Sequence, residues 1–122
     1  MKSTYSIQRK ENYLIIHLSG EYDKHDFLSY PPLIVKECDK EKIYKVLVNA
    51  VDLQNTDAPT MDRFFLGEAI ANTIGSKIKI AVVWPLKDIN KFGENVAVNR
   101  GSKVNVVGNV ADAEKWLLEN KH

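Results

Sequence analysis

The chain has 122 residues, with 17 basic and 16 acidic side chains and a formal charge of +1. That near balance supplies no field to steer nucleic acid or anionic lipid, so neither is an expected partner. An apolar fraction of 44% and a charged fraction of 27% exclude a disordered chain, and the lone Cys38 excludes an internal disulfide.

Two opening strands are predicted over residues 5–9 and 13–18. In the second, Leu14, Ile16 and Leu18 share one face and Tyr13, Ile15 and His17 the other. A helix is expected over 31–40, because Pro31 and Pro32 suit a first turn and would damage a helix interior. The segment 26–30 is then either a separate short turn or a kinked lead-in. Cys38 falls in the apolar pattern of this helix, as a buried structural thiol does. Val46, Leu47 and Val48 form a continuous apolar run, the mark of a strand over 45–50 covered on both faces. A polar loop leads to Thr60, which is expected to cap a helix over 60–76 with Gly75 near its end.

The next strand is predicted over 78–84, with Ile78, Ile80 and Val82 opposite Ala81 and Val83, and Pro85 ending it. Asp88 is expected to cap a helix carrying Ile89, Phe92 and Val96 and closing at Asn99, Arg100 and Gly101. A last short strand covers 104–107, and Asn109 then caps a helix with Ala113, Trp116 and Leu117 inward. The order β-β-α-β-α-β-α-β-α predicts an α/β domain with a mixed five-stranded sheet, parallel in its later part. One domain is expected, with its core over about residues 5–118. No leader-type segment opens the sequence and no apolar run reaches the ~18 residues of a membrane span. A cytoplasmic protein without membrane insertion is therefore expected.

In open α/β folds, ligands meet the loops at the carboxyl ends of the strands. That points to the segment after Val48. Asp52, Asp57, Asp62 and Glu68 bring carboxylates there, yet each has a structural reading. Asp62 favours a helix N-terminus, and Asp52 and Asp57 suit Asx-turns. His17 and His25 lack the spacing of metal ligands, so no metal or cofactor is expected. Neither phosphate-binding glycine signature occurs. Asn99, Arg100 and Gly101 fit a helix C-terminus better than an anion site. In the helix over 60–76, Phe64, Gly67, Ile70, Ala71 and Ile74 form a sheet-facing arc. Met61, Phe65, Leu66 and Ala69 lie outside it, as a helix contact or an exposed apolar patch.

VLVNAVDL, PTMDRFFLGE, KIAVV, FGENVAVNRG and VNVVGNVADAEKWL together resemble the STAS-like fold, that of sulfate transporter tails and anti-sigma factor antagonists. They are most similar to the bacterial branch related to the sporulation anti-anti-sigma factor. The resemblance implies a regulatory module that binds a protein partner. In signalling members an Asp-Ser-x-Gly loop before the second helix is phosphorylated at the Ser. Here the matching residues are Asp57, Ala58, Pro59 and Thr60, so the acceptor Ser and the Gly are both missing and Thr60 is the nearby hydroxyl besides Thr56.

The leading expectation is a non-enzymatic interaction module that recognises a protein through residues 54–60 and the following helix. Asp57, Thr60, Arg63, Phe65 and Trp84 are its candidate contact residues, and a homodimer through the second helix is expected. The alternative is a carrier of a small apolar or lipid-like ligand in a pocket near Phe65 and Trp84. An enzyme would need Asp57, Asp62 and Arg63 to converge.

Overall fold

The computed structural model describes residues 2–119. Strands β1 (Ser3–Arg9) and β2 (Leu14–Glu21) form an antiparallel hairpin, and α1 (Lys24–Glu41) crosses to β3 (Lys45–Gln54). The chain continues through α2 (Thr60–Thr73), β4 (Lys79–Val83), α3 (Phe92–Asn99), β5 (Lys103–Val107) and α4 (Val110–Leu118). The sheet order is β1-β2-β3-β4-β5, and every pair after the hairpin is parallel. The expected order and mixed sheet are both present.

Strand periodicity explains the two layers. Leu14, Ile16, Val46 and Ile80 point toward one face, where α1 supplies Phe27 and Ile34, the residue capping the end of α2 is Ile74, and α3 supplies Ala97. Alternate residues, Leu47, Ala81 and Val83, point to the other face and meet Ala113 and Leu117 of α4. Burying one such Leu or Ile contributes about 1.5–3 kcal/mol, so these two clusters dominate the packing. Four of the six expected core residues are fully buried, whereas Val48 and Val82 are only half-buried.

α1 corrects the sequence expectation. It begins seven residues before Pro31 and runs through both prolines without a break. Asp23 is its cap, accepting the Asp26 N–H at 3.1 Å. Phe27, Tyr30 and Pro31 are buried, so packing against the sheet outweighs the two backbone donors that the prolines lack. Cys38 is fully buried, and burial pushes its thiol up to about 11.

α2 ends at Thr73, short of the expected 76, with Gly75 just beyond it in the left-handed region at φ 61° and its N–H on the Ile70 carbonyl at 3.1 Å. The inward arc is turned from the expected one. Leu66 and Ile70 pack on the core, while Phe64 leans toward α3 and lies 6.4 Å from the Phe92 ring. Asp88 does not cap α3. It closes a short 3-10 turn (Leu86–Asp88), leaving Ile89 outside the helix, and Asn90 Oδ1 accepts the Phe92 N–H at 2.8 Å.

Candidate functional site

The loop over residues 55–59 leaves β3 at the carboxyl edge of the parallel strands. Asn55 turns it with a left-handed backbone at φ 58°, a conformation that Asn tolerates better than most residues. The next residue, Thr56, is 2% exposed and is the hub of the site. Its carbonyl accepts the Trp84 Nε1–H at 3.0 Å and the Arg63 Nη2–H at 3.5 Å. Its hydroxyl donates to Asp88 Oδ2 at 2.7 Å. Residues after β3 and after β4 are thus tied together.

Arg63 is the second fastening. Nε donates to the Ala58 carbonyl at 2.9 Å and Nη2 to the Asp88 carbonyl at 3.0 Å. A planar guanidinium can reach several acceptors at once, which a lysine ammonium does less well. Trp84 is buried against Phe27, edge to face at 5.8 Å, and against Tyr22 at 6.3 Å. Tyr22 in turn donates to Asp62 Oδ2 at 2.9 Å, and burial followed by that bond drives its phenol up. Lys87, 2.7 Å away, and then the Thr56 hydroxyl hold the Asp88 carboxyl below the usual carboxylate range.

The candidate residues separate into two groups. Arg63 and Trp84 face inward and hold the loop. Asp57, Thr60 and Phe65 lie on the solvent side, with Asp57 and Thr60 exposed and Phe65 37% exposed. Phe65 and Trp84 therefore do not share a pocket: Phe65 lies under the Lys24 ammonium, 5.0 Å from its ring centre, on the outer side of α2. Thr60 is not the cap. Pro59 occupies that position without a side-chain bond, and Thr60 is the first helical residue. The helix start is instead held by Arg63 reaching back to Ala58.

The carboxylates disperse. Asp52 pairs with His17 at 2.9 Å on the sheet, Asp62 accepts from Tyr22, and Glu68 lies 4.0 Å from Arg100. Among the described residues no three His, Cys, Asp or Glu side chains stand close enough to hold a metal ion. Arg100 also lies over the Phe64 ring at 5.7 Å, and Gly101 takes a positive φ of 98°, which supports the helix-end reading. Thr56 and Asp88 were not singled out as partners from sequence. No local spacing couples residues 32 positions apart; a hydroxyl residue just after the end of a strand is the one weak signal.

No protein-family model and no curated protein sequence matches the chain. Solved structures do. An anti-sigma factor antagonist from Mycobacterium paratuberculosis superposes with a TM-score of 0.66 at 10% identity, over 96% of this chain and 95% of that one. An uncharacterised DUF3478-family protein with a SpoIIAA-like fold from Shewanella loihica PV-4 gives 0.53 at 18% identity, over 94% and 93%. At such identities the likeness is one of fold. With its hairpin, parallel strands and helix placement, this chain has the STAS-like fold of the anti-sigma factor antagonists.

Proposed function

We propose that this chain is a non-enzymatic regulatory module that binds a protein partner through loop 55–59 and the outer side of α2. The observation that carries the reading is a surface pinned from beneath. Thr56, Arg63 and Trp84 fasten the loop, while Asp57, Pro59, Thr60 and Met61 are exposed above it. A preorganised surface loses little conformational entropy when a partner docks. Met61, 58% exposed, and Phe65 add apolar area beside the Asp57 charge, the mixture usual in protein interfaces. The likeness to an anti-sigma factor antagonist over nearly all of both chains supports a regulatory role.

In this reading the surface works without phosphorylation in the loop. Ala58 is buried and has no hydroxyl, and the Thr56 hydroxyl is committed to Asp88. A photo-crosslinking residue at Thr60, expressed in the native cells, is expected to trap a discrete protein adduct. The same residue at Gln8, on the exposed side of β1, should not. Equal labelling from both positions, or none from Thr60, would overturn the proposed surface. Stoichiometric phosphate on Thr60, seen by mass spectrometry of the native protein, would overturn the unswitched reading.

A further inference from the structure

We propose that the space between the sheet and helices α1 to α3 is a binding site for a compact, uncharged, apolar molecule about the size of one aromatic ring. The cavity measures about 120 Å³. Every layer contributes to its wall: Phe27 and Ile34 from α1, Ile70 from α2, Ile80 from β4, Val104 from β5, and Trp84. Val48 and Val82 also line it, which explains why two mid-sheet valines are only half-buried.

Close-packed interiors hold few voids larger than a water molecule. An apolar lining gives water few partners, and an engineered apolar cavity of about 150 Å³ stays dry and takes benzene or xenon. This cavity is of the same order, and too small for a diacyl lipid. Its roof explains why it stays open. Cβ atoms added at Gly67 and Gly93 would lie 2.4 Å from the Gly93 carbonyl oxygen and 2.8 Å from that of Arg63, so α2 and α3 meet backbone to backbone. Both glycines also line the space and supply no side chain to fill it.

Three charged or amide side chains reach the lining, and each is already engaged, as are the Tyr30 hydroxyl with Ser3 and the Trp84 N–H with Thr56. Arg63 donates to backbone carbonyls of Thr56, Ala58 and Asp88. Glu94 accepts the Val106 N–H at 2.7 Å and pairs with Lys91 at 3.4 Å. Asn90 accepts the Phe92 N–H. A charged ligand would have to displace these contacts or be buried unpaired, which is costly. Asn90 is itself exposed, so the space meets solvent beside the turn before α3.

The test is a titration of the isotope-labelled full chain with benzene and with indole, followed by amide chemical shifts, with benzoate as the charged control. Saturable shifts are expected at Ile70, Ile80 and Val104, with a raised Tm. Benzoate should bind at least about tenfold more weakly. Filling the space with Val82→Phe should weaken benzene binding by at least about tenfold. Should that variant fail to fold, Val106→Leu carries the same expectation. The absence of saturable shifts up to the solubility limit would overturn the site. So would shifts confined to Met61 and Phe65 on the outer surface, or a folded filled variant that binds as tightly as the parent.

Discussion

Two polar networks tie chain segments to this domain, and they differ in where the charge lies. At the hairpin edge, Asp26 is buried and accepts the N–H groups of Lys2 and Ser3 at 3.1 and 2.9 Å, and the Ser3 hydroxyl at 2.9 Å. Ser3 Oγ also lies 2.6 Å from the Tyr30 hydroxyl. At the carboxyl edge, Arg63 and Trp84 hold loop 55–59 through neutral carbonyls, and the carboxylate of Asp88 sits at the margin. A buried anion surrounded by donors makes a strong fastening that depends on its ionisation. Carbonyl acceptors do not titrate, so the loop anchored by them keeps its shape as pH changes. The tie that carries structure is centred on a titratable anion, and the tie beneath the proposed surface on a guanidinium that keeps its charge.

Removing the buried anion should have the largest effect. Asp26→Ala leaves the Ser3 N–H unpaired away from water, and is expected to cost about 3 kcal/mol in urea denaturation. A loss below about 1 kcal/mol would show that water replaces the carboxylate easily. The same residue sets the pH response. The Ser3 N–H, against the opposing effect of burial, holds the Asp26 carboxyl below its ordinary value of 3.8. A carboxyl lowered in the folded state contributes stability that is full above the unfolded value and lost as pH falls through the folded one. The urea midpoint of the native chain should therefore drop in that acidic window, and Asp26→Asn should flatten the drop. Asp88 acts in the same direction, so Asp88→Asn should flatten it less, its charge being closer to solvent.

Breaking the tie made by Arg63 should cost less. Arg63→Ala removes the donor to three carbonyls and is expected to destabilise by about 2 kcal/mol. Hydrogen exchange should rise in loop 55–59 while the amides of β1 stay protected. Uniform loss of protection would mean that the two networks are one cooperative unit. Thr56→Val keeps the shape and removes only the hydroxyl bond to Asp88, for an expected cost of about 1 kcal/mol by the same assay. Thr60→Ala should be nearly silent, within about 0.5 kcal/mol, because Thr60 is exposed and caps nothing. A larger loss would restore a structural role to that hydroxyl.

Element order along the chain, parallel pairing in its later part and the buried thiol of Cys38 were legible in the residues, because each rests on local pattern: period-2 alternation, short connections and apolar runs. The cap of α4 at Asn109 was equally local, and its side chain accepts the Asp112 N–H at 2.8 Å. The start of α1 was not, because propensity ends a helix at Pro31 and Pro32 whereas the buried Phe27 and Tyr30 extend it. Neither was the role of Thr60, whose capping position passed to Pro59 once Arg63 held the loop. Among the candidate residues, Asp57, Thr60 and Phe65 lie on the solvent side of the loop and of α2. That Arg63 and Trp84 turn inward was decided by acceptors far along the chain, as was the pairing of Thr56 with Asp88. Local sequence determined which segments became strands and helices. Only tertiary packing decided where helices stop, which polar groups meet and where space is left, since those depend on atoms that sequence spacing does not bring together.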